Sequence, residues 1–469
     1  MKFVIVGGGI SGWLSALIFS HRQPNHEYII VESSEVNTIG VGEGTTGLFV
    51  ETIEELPDIN VAEFLRETKA TPKIGIEFNN WSGKGSTFFN PIDGTLTTNE
   101  DFDSFLYFTY TENPSLDTSS LHGLLKRKNK SPYTEKLKDY NSALHLDNKL
   151  TIQYLKSKSL KRKNIKYISD TVSKIQRDET GKVEKIICSN NIIEGDIFID
   201  CTGYSRIFSE KSDWVSFKDN LPMNSVTTFT RKHSVSMVTK ADKLNLGWCW
   251  QIPTQERIGC GYVSCDEWGN NVVDEIKSNY PDAEIVKSFK FDSGKLKKSW
   301  NQNVISLGLA YHFLEPLQAT NIHLTLVQID ILCQRCIRET KDRTLNPNVI
   351  SIYNKHIDNL IEDFKNFINI HYSRDSRVTL TDYNKKIISL LKVRGLFFED
   401  LPQLYGCSGI GLWGHTLLGL NHLTKQECHN FLSEMNLYEE VKEISSELQT
   451  TLTNTSFLSY KELIKSLSI

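Results

Sequence analysis

Three glycines and a glutamate carry the first recognisable chemistry in this chain. In KFVIVGGGISGWLSALIF, a strand-like run gives way to a glycine-rich turn and then to a helix-like run. Gly7 permits the tight turn, Gly9 lets the backbone approach a pyrophosphate, and Gly12 lets the helix pack close to the strand, with Ser11 in the first helical turn. Phosphates then lie at the helix N-terminus, where free amides and the helix dipole favour anions. Twenty residues beyond Gly12, the strand in YIIVES ends at Glu32, whose carboxylate suits a ribose diol. The pattern serves FAD and NAD alike, and the alternative is a glycine-rich turn with no nucleotide. No second copy follows, because GCSGIGLWG at 406–414 has its glycines in the wrong order and lacks a preceding strand. If the chain does redox chemistry, a single dinucleotide site points to bound FAD, with electrons brought from elsewhere.

Other side chains with chemical potential lie in two short strands. In GWCWQIP, alternation puts Trp248, Trp250 and Ile252 on one face and Cys249 and Gln251 on the other, and Pro253 ends the strand. Two stiff indoles suit a wall, although the same pair also serves as plain core. In PKIGIEF, alternation puts Ile74, Ile76 and Phe78 on one face and Lys73, Gly75 and Glu77 on the other. Cys333 and Cys336 have no matching second pair, since Cys260 and Cys265 are wrongly spaced, so buried thiols are expected and no metal site.

The elements that position these residues read as an α/β protein. The pattern is a Rossmann-type, glutathione-reductase-like FAD module over 1–345 with an interleaved β-rich region, followed by a mainly helical cover over 346–469. A meander of short strands is expected from 164 to 200 and a second β-rich block from 225 to 265. The lysine-rich KSKSLKRK reads as a solvated helix face. DFDSFLYFTY carries Phe102, Phe105, Tyr107, Phe108 and Tyr110, which read as packing residues, with a role in lining a site as the alternative.

Five stretches, in order, resemble the flavin-dependent halogenases of the tryptophan-halogenase type: GGGISGW at 7–13, VGEGTT at 41–46, PKIGIEFNNW at 72–81, GWCWQIP at 247–253 and LGLAYHFLEPLQAT at 307–320. LHLD at 144–147 and DCTGYSR at 200–206 are similar to that family too, and the compact length most resembles its phage-encoded members. The resemblance implies that a separate flavin reductase supplies FADH2, which with oxygen turns chloride, bromide or iodide into hypohalous acid. This oxidant passes along an internal tunnel to a lysine beside an aromatic substrate. Lys73 matches that catalytic lysine, which either polarises the hypohalous acid through a hydrogen bond or, as a neutral amine, forms a haloamine. Gly42, Glu43, Gly308 and Leu309 match flavin contacts, and Thr320 and Asn321 match the residues whose amides face the halide. Trp248, Trp250, Ile252 and Pro253 match the barrier between flavin and substrate.

The chain departs from the family where a second catalytic residue belongs. Gln318 stands at the place of a glutamate and Ala319 at that of a serine. Glutamine keeps the reach but loses the charge and the capacity to act as a base. Glu315 is no substitute, because family members carry a glutamate there as well. Asn321 replaces a small residue, and its tolerance of positive φ is expected to preserve the amide geometry. Aromatic hydroxylases carry Gly-Asp-Ala where this chain has Gly308, Leu309 and Ala310. A flavin-dependent aromatic monooxygenase or a catalytically inactive FAD-binding protein remain the competing readings.

Composition narrows the partners. A net charge of −4 over 469 residues gives no basic field for nucleic acid or an anionic membrane, so a small molecule is expected. The first strand starts at Lys2, which leaves no room for a signal peptide, and with nine cysteines in no disulfide framework the expectation is a cytoplasmic protein. A homo-oligomer is left open. A short cover implies an open site for small indoles or phenols.

Overall fold

The fold is that of a computed structural model, described for residues 1–35, 42–92, 102–234, 236–395, 400–401, 409–436 and 438–467. The strand Lys2–Val6 lies at the centre of a six-stranded sheet between Glu27–Glu32 and Ile197–Asp200, with Ile165–Ser169 beyond one and Val304–Ser306 beyond the other, all parallel. Short Trp300–Asn301 closes the edge in antiparallel fashion. Phe3, Val4, Ile5, Tyr28 and Ile30 are fully buried, as expected of a parallel sheet covered on both faces. Of the meander expected over 164–200, Val172–Arg177, Val183–Cys188 and Ile192–Glu194 form an antiparallel sheet, whereas its end strands Ile165–Ser169 and Ile197–Asp200 belong to the parallel one.

A seven-stranded sheet follows in the order Glu284–Lys290, Ser225–Lys232, Arg257–Ser264, Gly247–Pro253, Val238–Lys243, Gly75–Asn79 and Thr87–Pro91. A third, small sheet places Ala143–Leu146 between Glu43–Gly44 and Thr71–Lys73. The PKIGIEF run is therefore divided between two sheets. It leaves the small sheet after Lys73 and enters the large one at Gly75. Ile74 packs with Phe89, Met237 and Val238, away from the cluster that holds Ile76 and Phe78, so the expected sharing of one face by these three residues is not found.

Helix Pro347–Ile370 starts from an Asn346 cap with proline in its first turn, and it buries Tyr353, Ile357, Leu360, Ile361, Phe364, Phe367 and Ile368 along one stripe. One buried cluster runs from Phe3 to Leu467 and joins these helices to the nucleotide module. Phe457–Ser459 also pairs with Lys130–Thr134. Phe105, Tyr107 and Tyr110 are buried in helix Phe102–Glu112 as packing residues, while the Phe102 side chain lies outside the described ones.

The lysine-rich segment departs from expectation. In helix Asn148–Ser159, Lys156 pairs with Glu32 at 2.5 Å and Lys158 with Glu63 at 2.9 Å, so two of its ammonium groups anchor the helix instead of facing water. All eight described cysteines are free and buried, and no group of metal-binding side chains occurs among the described residues. No described helix is long and apolar enough to cross a membrane.

Candidate active site

The glycine turn has the shape its sequence demands. Side-chain carbons added at Gly7, Gly8 and Gly12 would lie 2.2 Å from the Cys201 carbonyl oxygen, 2.2 Å from Glu32 Oε1 and 1.9 Å from the Gly7 carbonyl oxygen. At Gly9, which caps helix Ile10–Arg22, an added carbon would meet nothing within 4 Å. The opening therefore lies at the carboxyl ends of the central parallel strands and at a helix N-terminus, with the Glu32 carboxylate beside Gly8. These residues fit a dinucleotide pyrophosphate and ribose. Gly308 closes the other side. Its φ is +56°, and an added carbon would lie 2.5 Å from Ser11 Oγ. Its amide donates to Gln328 Oε1 at 3.3 Å, and Leu309 beside it is half-buried. Glu43 accepts from Asn148 Nδ2 at 2.9 Å, and burial raises its pKa.

The loop from Gly42 to Thr46 brings the remaining candidates together. An added carbon at Gly42 would lie 3.3 Å from Ile252 Cγ2. One at Gly44 would lie 3.1 Å from Lys73 Nζ and 3.4 Å from Ala319 Cβ. The Lys73 amine, 0% exposed, donates to the Thr45 carbonyl at 2.9 Å. Thr45 is clamped in turn, its amide donating to the Leu144 carbonyl at 2.8 Å while its hydroxyl accepts from the Leu144 amide at 2.8 Å. Thr46 Oγ1 meets His323 Nδ1 at 2.9 Å.

Sequence reading passed over a histidine that ties these pieces. His145, in the central strand of the small sheet, lies 3.1 Å from Thr71 Oγ1 through Nδ1 and 2.8 Å from Thr239 Oγ1 through Nε2. Thr71 donates its own hydroxyl to the Pro253 carbonyl at 2.6 Å, so it accepts from His145 Nδ1–H, and Thr239 donates to Nε2. Burial first, and the Lys73 charge second, hold His145 well below its ordinary pKa, so the ring stays neutral. The chain of bonds links the lysine strand to the end of GWCWQIP.

In that strand, Trp248 and Trp250 share a face with centroids 6.0 Å apart, while Cys249 packs on the other side. Trp250 faces Gly261 across the strands, and a carbon there would lie 2.1 Å from the indole. Trp248 Nε1 donates to Glu315 Oε2 at 3.3 Å, and the Tyr372 hydroxyl donates to the same oxygen. Burial pushes Glu315 up to about 7. Its raised pKa makes the fold lose stability as pH climbs from about 4.5 to about 7, by roughly 3 kcal/mol in all. Denaturant midpoints measured across that range are expected to show this slope in the wild type and lose it in Glu315→Gln.

The turn at Leu317–Ala319 has left-handed backbone at Gln318, φ 66°, and Ala319, φ 58°. Asn321 was the residue expected to tolerate such a conformation, yet it lies inside helix Thr320–Ile331. Its side chain is tied back to Leu314, donating to that carbonyl at 3.1 Å and accepting from that amide at 3.4 Å. The asparagine thus braces the turn, and Thr320 and Asn321 present the first amides of a helix whose cap has no side-chain acceptor. The Thr320 hydroxyl is buried without a partner among the described residues. Gln318 Nε2 meets His371 Nε2 at 3.0 Å, a second histidine contributed from a distant segment.

A family model described as tryptophan halogenase matches residues 2–409. The chain belongs to the tryptophan halogenase family. Tryptophan 7-halogenase RebH of Lentzea aerocolonigenes is 25% identical over 409 residues, covering 79% of this chain and 76% of the relative. Tryptophan 6-halogenase ThaL of Streptomyces albogriseolus is 25% identical over 417 residues, covering 80% and 76%. Among solved structures, Xcc4156, a flavin-dependent halogenase from Xanthomonas campestris, superposes with a TM-score of 0.84 at 23% identity, covering 99% of this chain and 98% of that one. The protein is a FADH2-dependent halogenase, an enzyme that needs a separate flavin reductase and acts on an aromatic substrate. The halogenase shares its overall fold with that structure.

Proposed function

We propose that this halogenase modifies small aromatic substrates of the indole or phenol type, with Lys73 as the residue that activates the oxidant. The observation that carries this reading is the buried Lys73 amine, held at the Thr45 carbonyl beside Gly44 and Ala319. Bound FADH2 supplies the two electrons with which dioxygen converts halide into hypohalous acid.

Gly7, Gly9, Ser11, Gly12, Glu32, Gly42, Glu43, Gly308 and Leu309 hold the flavin in this reading, and the amides of Thr320 and Asn321 hold the halide. The Trp248, Trp250, Ile252 and Pro253 strand keeps the aromatic substrate away from the flavin, so oxygen is not transferred to the ring directly. Lys73 donates a hydrogen bond to the hypohalous oxygen, which makes the halogen a better electrophile. The ring then exchanges a proton for the halogen, and the oxygen leaves as water. We also place the enzyme in the cytoplasm, in keeping with its free, buried cysteines.

Mass spectrometry of products from purified protein with FAD, a flavin reductase, NADH and oxygen tests the reading. A panel of indoles and phenols in separate chloride, bromide and iodide buffers should give mass shifts that follow the halide. Oxygenated products independent of halide would identify a monooxygenase, and no product from any substrate would favour an inactive flavin protein.

The wall makes a separate prediction. Gly261→Ala forces the Trp250 indole aside, because the added carbon overlaps the ring. Halogenated product per reduced flavin is expected to fall about tenfold while hydrogen peroxide rises. Unchanged coupling between flavin oxidation and product would remove Trp250 from the barrier.

A further inference from the structure

His371 Nδ1 lies 2.8 Å from the Phe367 carbonyl, which only accepts, so this nitrogen carries a proton. The ring is 1% exposed and packs against Phe78, Trp81 and Phe367, with centroids 5.2, 6.1 and 5.2 Å away. Burial lowers its pKa to about 4, so the ring is neutral at working pH and its Nε2 holds a lone pair. That lone pair determines which way the Gln318 amide faces. Only the NH2 group of Gln318 can satisfy it, at 3.0 Å, and this leaves the carbonyl oxygen on the other side. No described residue bonds to that oxygen, and it is not sealed from solvent.

We propose that His371 is a positioning residue that orients the Gln318 amide so that its carbonyl oxygen accepts the O–H of hypohalous acid held at Lys73. This rests on the reading of Lys73 given above. Residue 319 supports it, because Ala319 Cβ and Lys73 Nζ both lie within 3.4 Å of one point above Gly44, which puts the 318–319 turn beside the amine. A glutamate at 318 would accept hydrogen bonds through either oxygen without help. A glutamine has one acceptor oxygen, and an unheld amide flips to present a donor half the time. His371 removes that ambiguity and supplies the acceptor without placing a negative charge beside the ammonium.

The first test needs no turnover. Histidine labelled with 15N should show His371, assigned by its loss in His371→Phe, as a neutral ring protonated on Nδ1, and Gln318→Glu should convert it to a doubly protonated ring. A proton on Nε2 in the wild type would overturn the proposal. The second test is a cycle of His371→Phe, Gln318→Leu and the double variant, read as halogenated product per reduced flavin with FAD binding measured alongside. Each single change should cost about tenfold and the double no more than either. A His371→Phe protein that binds FAD and halogenates normally would overturn it, as would fully multiplicative losses. Product that survives in Lys73→Ala would instead sink the underlying reading, whatever the ring nitrogens report.

Discussion

Replacing Lys73 by alanine is expected to cut halogenated product by about a thousandfold while leaving flavin binding and oxygen consumption in place. The amine is fully buried, donates to the Thr45 carbonyl and lies next to Ala319. Alanine removes both the amine and the volume of the side chain, so a loss of product has two explanations. Lys73→Met separates the two explanations, because methionine retains most of the side-chain volume. Both variants should release hydrogen peroxide in place of product, at unchanged rates of flavin oxidation. Halide-tracking product formed equally by wild type and variants would mean that hypohalite forms in solution and that Lys73 has no part in its use.

Gly12→Val is expected to abolish FAD binding, raising the dissociation constant at least about a hundredfold. Even the first carbon of the new side chain would lie 1.9 Å from the Gly7 carbonyl oxygen, a backbone atom with no rotamer to escape into. The helix must therefore move off the strand, and the amides at its N-terminus move with it. The same displacement is expected to lower stability by about 3 kcal/mol, as for other overpacked positions. Flavin absorbance titration and thermal melting report the two effects. Gly9→Ala is the contrasting variant, because an added carbon there meets no protein atom, so the melting temperature should hold while flavin affinity falls.

The parts of the site that could be read from the sequence are those whose physics is local. The glycine turn, Glu32 and the two-residue alternation of Trp248 and Trp250 each depend on neighbours a few residues away or on one strand period. The motif marks Lys73, but alternation does not place Ile74, because the chain changes sheets at that residue without any change in hydrophobic pattern. Asn321 has the higher intrinsic tolerance of left-handed backbone, yet Gln318 and Ala319 adopt it, since the position of helix Thr320–Ile331 fixes where the turn must fall. Lys156 looked solvated because Glu32 is far away in the chain. His145 sits in the family-like LHLD stretch and His371 in none, but neither has a role legible there, because their partners are contributed by other elements.

The small sheet that joins the flavin-side loop to the lysine strand through Ala143–Leu146 also bears on how such an enzyme can diversify. Its span is set by main-chain bonds across two strand spacings of about 4.8 Å each, so it does not depend on which side chains surround it. Residues on the helical segments can then be exchanged to admit new molecules without altering the distance over which the oxidant must be handed on. Recognition can drift while reactivity is retained, and a scaffold of this kind would be a favourable starting point for directed changes of substrate.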